Sequence, residues 1–213
     1  KTLNCSDCGL FQHCHSPKMG RIGHGRKKIL FVLDNPTAAA DVQNDPISGQ
    51  LGRFLSRTLK KAGIVMERDC WVTHAVRCST GMVTSRNIEA CHRFLLREME
   101  ELKPNIVILT GEYGLTSLIG TKTTDRAQIK QYKGWYGETI PDQTYKAWLC
   151  PIVEPGLVMD QDKSDIESTA LYRMLLQQLD AIKKLPAIPD YSDVESKVSV
   201  LSEQKHILAV LSD

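Results

Sequence analysis

The chain has 213 residues, a formal net charge of +2, and 42% hydrophobic and 24% charged side chains. These values are ordinary for a globular protein, and the length suits one well-filled domain with an appendage. No apolar run approaches the roughly 18 residues that a membrane-spanning helix needs, and no secretory hydrophobic segment opens the chain. We therefore expect neither a membrane protein nor a secreted one, and predict a cytoplasmic location.

Apolar runs alternate with amphipathic helical patterns along the chain. Strands are predicted at about 28–33, 70–76, 105–109 and 147–153, and helices at about 50–62, 87–103, 112–119 and 163–184. Residues 34–49 and 120–145 are expected to be loop and irregular structure. The alternation indicates βαβ units, and right-handed crossovers then place helices on both faces of the sheet. We predict an α/β fold, a three-layer α/β/α sandwich around a central, mostly parallel four-stranded sheet.

The C-terminal part is predicted to leave this domain. Pro186-Ala-Ile-Pro189 is typical of a short stiff linker, and the apolar spacing beyond it predicts a final amphipathic helix. We assign 1–185 to one domain and 186–213 to a linker and C-terminal helix leading into a further domain. The chain opens with Lys1 rather than Met, so we expect a segment of a longer protein.

Basic residues are concentrated near the N-terminus. Between Asp7 and Asp34 there is no acidic residue, whereas five basic ones fall there: Lys18, Arg21, Arg26, Lys27 and Lys28. Such runs are usually a solvated face. The alternative is an edge that contacts phosphates, with an affinity that falls steeply with salt.

The first predicted strand ends in Leu33-Asp34-Asn35-Pro36-Thr37. Its continuous apolar run suits a strand buried on both faces. Open α/β sheets build their sites at the carboxyl ends of such strands. Asp34 is therefore the first candidate for a catalytic residue.

Seven cysteines are many for an intracellular chain, and their odd number argues against a fully paired disulfide framework. Cys5 and Cys8 form a Cys-x2-Cys pair, while Cys78 and Cys91 flank the start of a predicted helix. Two such pairs could converge on one four-thiolate site holding zinc or an iron–sulfur cluster. A competing ligand set adds His13, Cys14 and His15, and two cysteines at strand positions are expected to be core thiols, Cys70 and Cys150.

This layout resembles the iron–sulfur (family 4) uracil-DNA glycosylases over roughly residues 3–183. The matching motifs, in order, are Cys5-Ser-Asp-Cys8, Leu33-Asp34-Asn35-Pro36-Thr37, Pro46-Ile47-Ser48-Gly49, His74-Ala-Val-Arg-Cys78, Cys91, Lys133-Gly134-Trp135 and Glu154-Pro155. The resemblance implies a structural [4Fe–4S] cluster held by Cys5, Cys8, Cys78 and Cys91. From the residues alone, zinc remains the alternative.

The chain departs from the family pattern at several site positions. Asp34 keeps the family's carboxylate on a shorter arm, and Asn35 stays beside it in the base pocket. The stacking Phe is replaced by Ile47, the base-reading Asn by His74 and the leaving-group His by Glu154. The Arg that closes the last motif is replaced by Asp160.

These replacements set the functional prediction. An imidazole cannot present the paired donor and acceptor of an amide to uracil, and a carboxylate beside a departing anion raises the barrier. We predict a glycosylase-like DNA-binding or scaffold module without efficient uracil excision. The alternative is an active glycosylase for uracil or a modified base, with water attack assisted by Asp34.

The chain also resembles the N-terminal regions attached to some bacteriophage family A DNA polymerases. That resemblance implies a role in DNA replication or repair in a bacterial or phage-infected cell. It also implies DNA as a partner, with a DNA polymerase in the same chain or bound to it.

Overall fold

The computed structural model describes residues 5, 6, 8–120, 132–161 and 165–188. Its sheet contains strands β1 Ile29–Leu33, β2 Cys70–His74, β3 Ile106–Leu109, β4 Ile140–Asp142 and β5 Ala147–Pro151. The strand order is β2-β1-β3-β5-β4, parallel except for β4, which pairs antiparallel with β5. The helices are α1 Ala38–Gln43, α2 Gly49–Lys61, α3 Met66–Asp69, α4 Ser85–Leu102, α5 Glu112–Leu118, α6 Pro155–Met159 and α7 Ala170–Ile182.

The sheet separates two apolar cores, because side chains along a strand point alternately to opposite faces. One core joins Ile29, Phe31 and Leu33 to residues of α2 and α7. The other joins Leu30 and Val32 to residues of α4 and α5. Every residue of β1 is buried, as its continuous apolar run predicts. The three-layer sandwich is thereby confirmed.

The outer side of β2 is covered by the segment that precedes β1. This segment runs antiparallel to β2, from a backbone hydrogen bond between Met19 and Arg77 to one between Lys27 and Asp69. Between them, Ile22 forms a two-way bridge with Val72. Covering an edge strand removes unpaired backbone groups that would otherwise invite association. The basic run of the sequence therefore spans the whole length of the strand.

The four predicted parallel strands are confirmed, but the sequence missed β4 and three short helices, α1, α3 and α6. β4 has only three residues, including Pro141, and shows no alternation. The predicted helix at 163–184 is divided into a 3-10 turn, Ile166–Ser168, and α7, which Thr169 caps through its side chain. The predicted final helix lies outside the described residues. Within the described part of the chain, no helix combines the length and apolar character needed to cross a bilayer.

Candidate active site and cysteine centre

Asp34 lies where β1 ends and faces the start of α5. Its Oδ1 accepts the backbone N–H of Tyr113 at 2.9 Å, and the N–H of Gly114 also donates to the carboxylate. Gly111 makes this approach possible, because a Cβ at that position would lie 2.1 Å from Asp34 Oδ2. The carboxylate thus accepts hydrogen bonds from the backbone of the first turn of α5. A Thr-Gly pair directly after a predicted strand, Thr110-Gly111, is the sequence feature that could have indicated this close approach.

The charge state of Asp34 is set mainly by burial, which raises its pKa to about 6. The two backbone N–H groups oppose the shift, and the negative charges of Glu154 and Glu112 add to it. Among the residues that the structure describes, no cation contributes to this balance. A carboxyl group with a pKa near 6 can accept a proton at neutral pH more readily than an ordinary aspartate.

Glu154 lies at the same edge of the sheet, after β5, at the N-terminus of α6. Its side chain is half-buried. Burial raises the pKa of Tyr136, and the negative charge of Glu154 adds to this rise. Burial also raises the pKa of Tyr113, with further contributions from the charges of Asp34, Glu112 and Glu154. Asp34 and Glu154 therefore share one electrostatic environment. Asp160, which ends α6, is exposed.

His74 ends β2 in register with Leu33 of β1. Its side chain is 3% exposed, and within the described residues Nδ1 has no hydrogen-bond partner. Burial, with a smaller contribution from Arg77, lowers its pKa to about 3. The imidazole is therefore neutral at physiological pH. Strand alternation places it on the face of Cys70 and Val72, which is the face covered by α2.

Ile47 and Asn35 are fixed by their local packing. Ile47 is half-buried against the core beneath α2, and Gly52 leaves room for its carbonyl, since a Cβ there would lie 1.5 Å away. The Asn35 amide donates to the carbonyl of Thr80 at 3.0 Å. Asn35 thus connects the loop after β1 to the loop that follows Cys78. No pattern in the sequence indicates this role for Asn35.

The four cysteines predicted to be metal ligands lie near one another at the end of the sheet that carries Asp34. Cys78 and Cys91 are buried, and Cys5 and Cys8 lie close enough to Cys91 for their charges to act on it. Burial raises the pKa of Cys78 to about 12, and it also raises the pKa of Cys5 and Cys91. The nearby cations of Lys18, Arg77 and Arg93 oppose this rise in the pKa of Cys5 but do not cancel it.

The surroundings of these thiols fit metal-bound thiolates. The Lys18 N–H donates to Cys78 Sγ at 3.4 Å, and the Arg77 N–H donates to Cys91 Sγ. Such donors stabilise negative charge on sulfur. In the described part of the chain, however, no three His, Cys, Asp or Glu side chains already stand in a metal-binding arrangement. The fit therefore rests on the chemistry of the donors and not on a closed ligand cage.

The remaining cysteines divide into two kinds. Cys70 and Cys150 are fully buried in strands, and burial raises the pKa of each thiol to about 12. Cys14 is half-buried and lies close enough to Cys78 to add to the rise in the pKa of that thiol. Its neighbours His13 and His15 have exposed side chains.

The basic run reaches from the carboxyl end of β2, the end of the sheet that carries Asp34, to the amino end of that strand. Lys18 lies at the edge that carries Asp34 and Cys78, and its side chain is exposed. Arg26, Lys27 and Lys28 lie at the opposite edge, where Lys27 Nζ is 3.5 Å from Asp69. The run is therefore spread along the whole length of β2 and is not gathered beside Asp34.

The chain is similar in sequence to known uracil-DNA glycosylases. The sequence profile of the uracil DNA glycosylase superfamily matches residues 20–182. The type-4 uracil-DNA glycosylase of Archaeoglobus fulgidus is 24% identical over 192 residues, covering 89% of this chain and 94% of that protein. The type-4 uracil-DNA glycosylase of Saccharolobus solfataricus is 23% identical over 158 residues, covering 73% and 72%.

A relative of another kind is the DNA polymerase of Bacillus phage SP01. It is 27% identical over 146 residues, which is 66% of this chain but 15% of the polymerase. The similarity is thus confined to a small part of that protein. Since the superfamily profile matches well over half of the residues, this chain belongs to the uracil DNA glycosylase superfamily.

Proposed function

We propose that the chain is a DNA-binding glycosylase-like module that does not excise uracil efficiently. The observation that supports this most is the carboxylate pair formed by Asp34 and Glu154. Each is half-buried at the same sheet edge, and the charge of Glu154 helps to raise the pKa of Asp34.

Uracil excision releases the base as an anion, so its barrier depends on groups that stabilise negative charge. Glu154 brings a second negative charge to the site instead of a histidine donor. The flipped base must also be read by hydrogen bonds to its edge and held by stacking. Neutral, buried His74 and aliphatic Ile47 supply neither the amide pattern nor an aromatic platform.

The same proposal includes a metal centre. Cys5, Cys8, Cys78 and Cys91 would hold a [4Fe–4S] cluster, which would fasten the N-terminal segment to α4 and to the loop after β2. Zinc is the alternative. A brown protein with absorbance near about 400 nm would identify iron–sulfur thiolate ligation, and a colourless zinc-containing one would exclude it.

The test is a glycosylase assay on metal-loaded protein. We expect salt-dependent binding to uracil-containing single-stranded and duplex oligonucleotides, with no abasic product above that of a protein-free control. The triple variant I47F/H74N/E154H restores the stacking, reading and leaving-group residues of the family and should gain excision. Glu154→Gln removes the negative charge without restoring the histidine, so it should gain less excision activity than the triple variant. Rapid uracil excision by the unaltered protein would refute the proposal.

A second candidate is an active glycosylase for another base. It is favoured by the Asp34 carboxyl group, whose pKa of about 6 suits proton transfer from an attacking water. His74 and Glu154 would then read an amino-bearing or modified base. Oligonucleotides carrying hydroxymethyluracil or deaminated purines test this. Release of one base by the protein, with loss of that release in Asp34→Asn, would favour this candidate over the first.

We also propose that the module works with a DNA polymerase, in the same chain or as a partner. The match to the phage SP01 DNA polymerase supports this. Sequencing the complete gene tests the first arrangement. Co-purification with the polymerase of the same genome tests the second.

A further inference from the structure

Helix α2 carries charge of a single sign on its exposed face. Its exposed residues include four cations and no anion, and they are Gln50, Arg53, Arg57, Lys60 and Lys61. The two other long helices of the described chain differ, because exposed residues of both signs occur on α4 and on α7. The side of the domain that α2 covers therefore presents positive charge to solvent.

Three of these cations have side chains without an ion-pair or hydrogen-bond partner within the residues that the structure describes: Arg53, Arg57 and Lys60. We call these three residues the α2 stripe. Lys61 differs from them, because it forms an ion pair with Glu167. In α4, by contrast, Arg97 is paired with Glu101 one turn later in the same helix. The charge of the α2 stripe is therefore not neutralised by its described neighbours.

The spacing of the α2 stripe places its members on one line along the helix. Residues three or four positions apart are neighbours on a helix surface, with Cβ atoms roughly 5–6 Å apart. Arg53, Arg57 and Lys60 have this spacing and form consecutive steps along the helix axis. Like charges at such positions repel each other and destabilise the helix. A bound polyanion would remove this repulsion and add attraction of its own.

The α2 stripe begins close to the candidate base pocket and leads away from it. Ile47 lies two residues before α2, and Arg53 lies in the second turn of the helix. Beyond the other end of α2, the carbonyl of Gly63 accepts a hydrogen bond from Lys27, near the amino ends of the strands. The helix therefore spans the side of the sheet from its carboxyl end to its amino end, over roughly 20 Å.

We propose that the α2 stripe binds the phosphates of a single DNA strand that extends from the Asp34 end of the sheet along the side of the domain. The inference rests on the proposed DNA-binding function and adds a second contact surface to it. A duplex is stiff over about 150 base pairs, so one that lies across the carboxyl ends of the strands bends onto α2 only at a cost in free energy. A single strand is flexible and can follow the helix.

The experiment measures DNA binding to the full chain by fluorescence anisotropy at several salt concentrations. The labelled probes are a single strand of about 20 nucleotides, a single strand of about 5 nucleotides and a blunt duplex. The test variant is R53Q/R57Q/K60Q, because these side chains are exposed and Gln has a good helix propensity. The control variant, K28Q/K103Q/K146Q, removes the same charge from exposed lysines at or near the amino ends of β1, β3 and β5.

We expect the test variant to bind the long strand about ten-fold more weakly. Its salt dependence, the slope of log K against log salt, should fall by roughly 2, which is about 0.7 for each of three phosphates. The short strand and the blunt duplex should change by less than about two-fold, because they reach only the carboxyl end of the sheet. The control variant should match the unaltered protein with all three probes.

The stability of the variants is checked by thermal unfolding. The test variant should be at least as stable as the unaltered protein, because it lacks like charges one turn apart. The single variant Arg57→Gln gives a second reading with less change to the helix. It should lower the salt slope for the long strand by about 0.7.

An unaltered protein that binds none of the probes refutes the proposed DNA-binding function, and the inference fails with it. If the unaltered protein binds, an equal loss in the test and control variants would reduce the effect to net charge and overturn the inference alone. A loss as large for the blunt duplex as for the long strand would overturn the single-strand path. Unchanged DNA binding in the test variant would overturn the inference as well, and loss of binding to polyglutamate would then assign the α2 stripe to an acidic protein surface.

Discussion

Two aspartates lie at opposite ends of the parallel strands, and their pKa values are shifted in opposite directions. Asp69 precedes β2 and is 2% exposed, and both of its oxygens bond the Arg68 guanidinium, at 2.8 and 3.0 Å. That bond, together with the Val65 N–H and Lys27, holds its pKa well below the usual range although burial opposes the shift. Asp34 follows β1 and is held by backbone donors, with no cation near it among the described residues, and burial raises its pKa to about 6.

The difference separates a carboxylate that is compensated by cations from one that is held by backbone donors. A buried charge that is paired contributes to stability, whereas one without a partner costs free energy and persists only where something else requires it. The edge that carries Asp34 also carries the cysteines, His74 and Glu154. The edge that carries Asp69 carries ion pairs.

The largest contrast should come from Cys78, four residues after the end of β2, and Cys70, the first residue of that strand. Cys78→Ala removes a proposed ligand, so we expect loss of the metal and destabilisation by several kcal/mol, since metal binding is coupled to folding. Cys70→Ala, at the other end of the strand, should keep the metal and cost about 1 kcal/mol of core packing. Metal analysis and urea unfolding measure both. Equal effects would refute the ligand assignment.

Asp69→Asn should be the most damaging change at the ion-paired edge. We expect a loss of about 2 kcal/mol at pH 7, less than for a fully enclosed pair because Arg68 and Lys27 are about half exposed. The folded pKa of Asp69 is depressed, so its contribution is present above the unfolded pKa of about 4 and is lost as the pH falls below it. Unfolding at pH 3 and pH 7 should therefore show a smaller difference in the variant. An unchanged pH dependence would contradict this account.

Asp34→Asn should have the opposite sign and a smaller size. The folded pKa of Asp34 is raised, so between about pH 4 and pH 6 the folded state holds the extra proton and stability falls as the pH rises. The variant lacks this fall and should gain about 1 kcal/mol above pH 6, because the neutral amide loses one backbone hydrogen bond but no longer buries a charge. The buried imidazole of His74 contributes equally to both proteins, so the difference between their unfolding curves isolates Asp34. A variant less stable at pH 8 would show that the charge is compensated.

Much of the end of the sheet that carries Asp34 and the cysteines could be predicted from the sequence. The apolar run of β1 and its terminal carboxylate placed Asp34 at the sheet edge, because continuous burial and strand direction are properties of local sequence. The spacing of Cys78 and Cys91 around the start of a helix likewise predicted that they would lie together. The bounds of β1, β3 and α2 were correct within about a residue.

What the sequence could not show depends on contacts between distant segments. The Asp41 carboxylate accepts hydrogen bonds from the backbone N–H groups of His15 and Ser16, which lie some 25 positions earlier and show no periodic pattern. The burial of His74 depends on the covering helix α2, and the division of the basic run depends on the path of the chain along β2. Such contacts leave no local signal in a single sequence.

The smallest effect should come from two exposed lysines that differ mainly in the end of the sheet at which they lie. Lys18 and Lys28 both have a left-handed backbone, with φ of 60° and 52°, so replacement by Ala carries a similar backbone cost. Lys18 lies beside the cysteines, whereas Lys28 directly precedes β1 at the far edge. If DNA binds over the Asp34 edge, Lys18→Ala should weaken binding a few-fold and lower the salt slope by about 1, and Lys28→Ala should change neither. Fluorescence anisotropy with one labelled oligonucleotide at several salt concentrations measures both. An equal loss in the two variants would mean that the nucleic acid contacts the whole basic run along β2, and an effect confined to Lys28→Ala would move the interface to the edge of Asp69.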